Sequence, residues 1–591
     1  MKDSFTERHF DGFILPAFLG LLTSLAAWLL WGFKFGIFNN EFHSIIVNRI
    51  ADGIDFPGDA MAATMGNFPS PFWRLVAHCA RYAPEEAVFL AFYVSAWALL
   101  YAGVSSLIAA LAEEEHRFVP WLVGAAVTLS GGFLMNLPLG ADPVMMPYLS
   151  QTFVSTGLCL LSLSLAIGKR HMGSAAVLGI ACNVNAMQVN FMLPVLLASW
   201  VIDARLDGRN GLLRRVGNLL VFGLLASPAL FRIASVVLEK PPGGSLSGWA
   251  LYDFVKFYFP FHFFLDFKNT SQIVNGVALP LIPLLLAFSG RFLGDHRFRI
   301  RGEKIMEAAS ALFFGYLLAG ILFSFHFPSR LILGMHFFRS DAVLFPAAVA
   351  MLSAALMNET RHDRNLVPML GAALAAVLFQ YFAASLALLV AIAAVKFLKE
   401  RHPALCGPSG YPALYRALCG AFLLLLAPLA VAESVAFKKE HDGNWKGLND
   451  ATAEMERISR AASKAVPRDA LFAIPPACYL RTHLRRGVYV SMHDGAAFFW
   501  KKGYEIEYLR RLRVCGIGYT PGVFRDAGRV TDEYLKNLPA SLSRLKREGV
   551  THALLPSFTI GRPPGGPVIR TENYVILGID DAIRTIDPDP R

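Results

Sequence analysis

Apolar segments long enough to cross a membrane follow one another through roughly the first 435 residues and then stop. The first, FILPAFLGLLTSLAAWLLWGF, lies within Asp11–Phe33 and could span a hydrocarbon core of about 30 Å as a helix. From Lys438 onward the composition is that of a soluble mixed domain. The expected fold class is therefore a polytopic α-helical membrane protein with a soluble C-terminal α/β domain. The boundaries are 1–437 for the membrane part, with a long loop at 34–86, and 438–591 for the terminal domain.

Spans are expected near 11–33, 87–111, 119–137, 151–168, 173–188, 190–204, 216–235, 275–290, 306–326, 341–357, 366–380, 382–398 and 417–435. The stretches 173–204 and 366–398 are too long for one crossing and short for two, so each reads as a tight helical hairpin. The polar run CNVNAMQVN, with Asn183, Asn185, Gln188 and Asn190, makes the first hairpin turn. Thirteen crossings with the N-terminus inside place about twice as many Lys and Arg in the inner loops as in the longer outer ones, the positive-inside bias. The terminal domain is then exported. Lys2 and Arg8 precede an apolar run too long for a cleavable signal, which reads as an uncleaved anchor.

Only 17% of residues are charged, and mean hydropathy is +0.45. The net charge of +11 does not gather into an aromatic-interleaved stripe, so nucleic acid is excluded as a partner. Seven scattered cysteines without a CxxC pair argue against a zinc or redox motif. Cys478 and Cys515 could pair in an oxidising compartment or remain two separate thiols.

The chemistry-bearing clusters all fall in outer loops. Glu41, His43, Asp52, Asp55 and Asp59 lie within nineteen residues, on and after an amphipathic surface helix at 41–53; a second covers 70–82. A partly desolvated carboxylate there could serve as a general base, because desolvation raises its pKa toward neutrality. The alternative is a set of solvated loop charges. FVKFYFPFHFFLDFKNTSQ surrounds His262, Asp266 and Lys268 with phenylalanines and could line an acyl-chain groove or simply anchor the loop. SFHFPSRLILGMHFFRSD carries Arg330, His336, Arg339 and Asp341 at a span edge. An arginine fork there suits a lipid phosphate; a structural Arg339–Asp341 pair is the competing reading. Asp142, in LPLGADPVMMPY, stands at the mouth of the same side.

In the terminal domain, WKGLNDATAEMERISRAASKAVP reads as a helix with Trp445, Leu448, Met455, Ile458 and Ala462 on one face. ALFAIPP, GVYVSM, THALLPS and NYVILGI read as strands, with a helix at YLKNLPASLSRLKREG. No phosphate-binding glycine loop or nucleophile motif occurs. Arg481, Arg485 and Arg486 form its densest basic patch, which could meet an anionic glycan or the membrane face; a solvated face is the default reading.

Taken together, NNEFH and PGD in the first outer loop, the FPFHFF loop, FFRSD before a span and the exported domain opening on DALFAIPP resemble the GT-C class of integral-membrane glycosyltransferases. They resemble especially its bacterial members with a trailing soluble domain. The resemblance implies transfer of a sugar from a polyprenyl-phosphate donor to an envelope glycan, lipid or protein acceptor at the outer face of a bacterial inner membrane. Carried over, Glu41 is the first candidate base and Asp59 the second. Arg339, with Arg330, His262, His336 and Asp142, would hold the donor phosphate and substrate, and Glu41 and Arg339 would line one cavity roofed by the domain. Members often open the loop with an acidic pair, and here Asn40 precedes Glu41. No cofactor is implied; a divalent metal stays open, without a DxD. A non-catalytic scaffold or transporter-like subunit of a polysaccharide or lipid assembly system is the rival reading.

Overall fold

The computed structural model describes residues 15–586 except 114–117, 141, 208, 242, 266–267, 403–431, 433–434, 444–445, 447–452 and 560–568. Seven described helices are long and apolar enough to cross a membrane, with shorter apolar helices among them, as in a multi-pass membrane protein. Close approach is built into them. Helix Glu85–Leu111 starts after Pro84 with two glutamates in its first turn, favourable at the positive end of the helix dipole. It packs on Gln151–Ile167 through Gly103 and Gly157. A Cβ on Gly103 would stand 2.5 Å from the Gly157 carbonyl oxygen, so only the smallest residue allows these backbones to touch.

His171–Asp207 is helical almost throughout but is not one rod. Asn185 has φ −152° and ψ 96°, and His171 Nε2 lies 2.7 Å from Asp203 Oδ2. Thirty-two residues of straight helix would separate those two by roughly 48 Å, so the segment is a hairpin turning at Asn185. The polar run forms that turn. The Asn185 amide donates to Thr152 Oγ1 at 3.1 Å, and its Oδ1 accepts from the Met187 N–H. The second hairpin joins Val367–Leu378 to Phe382–Arg401 through Gln380, at φ 61°. Ser385 Oγ donating to Ala373 O closes it.

The loops sort to two ends as the alternation requires. At one end Arg301 N–H bonds Leu111 O, Asn358 bonds Arg299 O, and Lys396 pairs with Glu359 at 2.6 Å. At the other stand the described residues of 34–80, 131–150, 239–265, 327–340 and the sheet domain. Lys399, paired with Asp363, sits at the first end. Phe437 and His441 pack on Trp31 at the second. The expected thirteenth span, 417–435, lies almost wholly outside the described residues.

The terminal domain is a five-stranded sheet in the order β2-β1-β3-β5-β4: β1 Leu471–Ala473, β2 Gly487–Val488, β3 His552–Pro556, β4 Ile569–Arg570 and β5 Tyr574–Gly578. β1 runs parallel to both β2 and β3, and β3–β5–β4 is antiparallel. Helix 453–465 buries Met455, Ile458 and Ala462 against Phe472, Ile474 and Val488; Trp445 and Leu448 lie outside the described residues. GVYVSM pairs over only two residues, because the capping box of Ser491 and Asp494 starts a 3-10 helix at Met492. Cys478 and Cys515 are separate free thiols. Phe498, Trp500 and Tyr508 join the same buried apolar cluster as the membrane helices, so the domain is seated on the bundle.

Candidate active site at the bundle–domain junction

The first outer-loop helix, Asn40–Asp52, ends at Gly53 in the left-handed region and buries Asn40 through Asn48. It is not a half-wet surface helix: the terminal domain covers it. The Asn40 amide donates to Leu149 O at 2.7 Å, and the His43 ring stacks on Trp73 at 3.7 Å. Glu41 is 0% exposed. Its Oε1 accepts the backbone N–H groups of Leu480 (3.0 Å) and Arg481 (3.2 Å), and Oε2 has no partner among the described residues. Burial, partly opposed by the Arg481 charge, pushes its carboxyl up to about 7.

Asp59 caps helix Ala60–Thr64 through the Ala62 N–H at 2.9 Å. Its Oδ2 also accepts from Arg481 Nε at 2.7 Å and from the Val488 N–H at 3.0 Å. The turn before it needs Gly58, at φ +76°, where a Cβ would come within 2.8 Å of the Leu471 side chain. PGD is thus the seat of β1. Arg481 is 1% exposed and completes a fork onto Asp494, with both bonds at 2.8 Å. The solvated basic patch expected from the sequence is overturned. Arg481 is a buried bolt, Arg486 bonds Pro467 O and Val466 O, and Arg485 reaches Asp52 and Glu85. With all its lone pairs engaged, Asp59 holds the domain in place.

A second cluster forms from three loops. Arg339 donates to Asp142 Oδ2 at 2.8 Å, its only side-chain partner among the described residues, and keeps its other donors. His262 Nε2 is 3.3 Å from the same oxygen, and His262 Nδ1 is 2.6 Å from Gly140 O. A carbonyl can only accept, so Nδ1 carries the proton and Nε2 offers a lone pair toward Asp142. Burial raises the Asp142 carboxyl, opposed by the Arg339 charge, and lowers His262. Asp341 takes the Gly140 N–H at 2.7 Å. The Arg339–Asp341 pairing weighed from sequence is therefore replaced by Arg339–Asp142.

Arg330 is committed elsewhere. It donates to Phe498 O, Leu246 O and Glu505, tying the domain to the bundle. His336, at φ 50°, packs its ring on Phe263 and Phe499. The void it shares with His262 is about 10 Å³, room for about one water. The phenylalanine run is mainly a socket: Phe254 meets Phe498 and Tyr508, Phe257 meets Tyr519, and Phe261 meets Phe524. Asp266 lies outside the described residues.

Glu41 and Arg339 do not line one cavity, because Glu41 has no exposed surface. Their clusters are neighbours across an aromatic shelf. Phe38, at φ 50° and 40% exposed, stacks on Tyr148 and touches Tyr479, which stacks on His493. Tyr148 in turn feels the charges of Asp142 and Arg339. Phe38, Tyr148, Tyr479, Asp494 and Glu505 were not singled out in the sequence; only the Ser491–Asp494 cap spacing offered a signal. Among the described residues no group of three His, Cys, Asp or Glu could hold a metal ion.

No family model matches this chain, and no curated protein sequence matches it. Among solved structures it is similar to ArnT from Cupriavidus metallidurans in the apo state, at 13% identity and a TM-score of 0.37 over 97% of this chain and 98% of that one.

Proposed function

We propose that the protein is a membrane glycosyltransferase acting at the domain end of the bundle, moving a sugar from a polyprenyl-phosphate donor to an envelope glycan, lipid or protein acceptor. This end is the outer face, on the positive-inside reading of the loops. The observation that carries the reading is the Arg339–Asp142–His262 cluster. It is a partly exposed arginine with unused donors beside a carboxylate–imidazole pair, at the level where a lipid-borne phosphate meets a polar domain.

In this reading Arg339 turns its free N–H groups to the carrier phosphate and stabilises the charge that builds as the phosphate leaves. Asp142 is the carboxylate within reach, its side chain 27% exposed. Asp59 is saturated, and Glu41 becomes reachable only when Leu480 and Arg481 withdraw. The acceptor hydroxyl oxygen attacks the anomeric carbon as the bond to the phosphate oxygen breaks, and the phosphate takes the electron pair. The hydroxyl proton passes to the Asp142–His262 pair, whose charge goes from −1 to zero. Direct displacement inverts the anomeric centre.

The test is transfer from a polyprenyl-phosphate sugar by purified protein in nanodiscs. Asp142→Asn and Arg339→Lys should each lower kcat by about 10²–10⁴-fold, the usual worth of positioned acid–base and charge stabilisation. Wild-type transfer by both variants would overturn the assignment. Equal loss in Glu41→Gln, with the fold intact, would return the base to Glu41.

A further inference from the structure

The parallel part of the terminal sheet has a topological switch point: from β1 the chain goes to β2 on one side and then to β3 on the other. Crevices at the carboxyl ends of parallel strands at such a point are where open α/β sheets bind ligands. A cleft of about 450 Å³ opens there, inside the usual range for small-molecule sites of about 300–1,000 Å³. Pro475 and Cys478, after β1, form one wall; Pro556 and Phe558, at and after the end of β3, form the other.

Its chemistry is selective. Among the described residues that line it there is no lysine or arginine to pair with a phosphate or another anion. Asp532, Glu572 and Asn573 supply acceptors, and the Asn573 amide is held from behind by buried Glu454 at 2.5 Å. Phe558 is 82% exposed, a large apolar ring left in water at the rim, and Tyr574 stands inside. Hydroxyl acceptors beside aromatic faces fit a sugar ring, whose hydroxyls donate and whose C–H face is attracted to the negative face of an arene. The cleft also adjoins the junction. Cys478 lines it, Tyr479 belongs to the shelf beside Asp142, and Leu480 holds Glu41.

We propose that this cleft binds the saccharide portion of the acceptor; the word acceptor rests on the transferase reading, the saccharide does not. The test is calorimetric titration of the full chain in nanodiscs with chitotetraose, maltotetraose and mannotetraose. At least one should bind, and Phe558→Ala and Glu572→Gln should each weaken it at least tenfold at unchanged Tm. No binding by any of the three, or binding that ignores both substitutions, overturns the proposal. Because the readout is binding, the two readings fail separately. Saccharide held in the cleft of a protein without transfer activity sinks the transferase and keeps the site. Transfer with glycan binding indifferent to Phe558 and Glu572 does the reverse.

Discussion

Glu41 accepts the backbone N–H of Arg481 at 3.2 Å across 440 residues of sequence, while the Arg481 side chain is gripped by Asp59 and Asp494. One residue of the terminal domain thus engages the first outer loop with its backbone and its side chain together. All four groups are buried, so the contact has the character of a core and not of a surface encounter.

Arg481→Met should therefore be costly. It strands Asp59 and Asp494 without a counter-charge, and breaking one side of a buried pair typically costs about 3–5 kcal/mol. The expected outcome is a lowered Tm and rapid proteolysis within the terminal domain. Arg460→Ala removes a pair with Glu456 whose side chains are 77% and 38% exposed and should cost about 1 kcal/mol or less. Equal Tm values for the two variants would show that Arg481 is not the bolt.

Stability should also fall as pH rises through the range in which Glu41 ionises. Its folded carboxyl titrates near 7 against an ordinary 4.5, so between those values the folded chain holds a proton that the unfolded chain has released. The contribution is fully present below about 4.5 and lost as pH approaches 7, an effect on the order of 3 kcal/mol. Glu41→Gln keeps the acceptor for Leu480 and Arg481 without the charge. Its Tm profile between pH 4.5 and 7 should be flatter than that of the wild type, and parallel profiles would refute the assignment.

Segment length and polar punctuation made the bundle legible. Two apolar stretches, 173–204 and 366–398, had to fold back, and Asn185 and Gln380 mark where they do. The site was legible only as a list of loop charges. Whether Asp59 is a base or a brace depends on Arg481, more than 400 residues away, and LRTHLRRG looks like any solvated basic segment. The phenylalanine run misled for the same reason. Dense aromatics mark a surface to be covered, and here the cover is Phe498, Tyr508 and Phe524 of the terminal domain. Asp142 was visible, but its pairing with Arg339 joins loops 197 residues apart.

The domain end is expected on the extracytoplasmic side. Reporter fusions at Arg401 and Ala527 stand at opposite ends of the bundle and should report opposite compartments, with Ala527 outside. A cytoplasmic signal from Ala527 would invert the orientation and place the Asp142 cluster on the inner face.

The last expectation concerns Gly140, whose backbone organises the second cluster from both sides. Its N–H goes to Asp341 at 2.7 Å, and its carbonyl fixes the His262 tautomer at 2.6 Å. A Cβ there would stand 2.8 Å from Asp341 Oδ1 and 3.3 Å from the Arg339 Cα. Asp341 is buried and short, so it cannot swing clear as a long surface side chain would. Gly140→Ala should then push the loop off Asp341, loosen the His262 Nδ1 bond and move Asp142 relative to Arg339. Since misplacement of about 1 Å can cost 10²-fold in rate, transfer should fall by roughly that factor while Tm drops only modestly. The bolt at Arg481 lies in a separate cluster and should be untouched, so proteolysis of the terminal domain should match the wild type. Full transfer by Gly140→Ala would mean that this loop does not position the reacting groups.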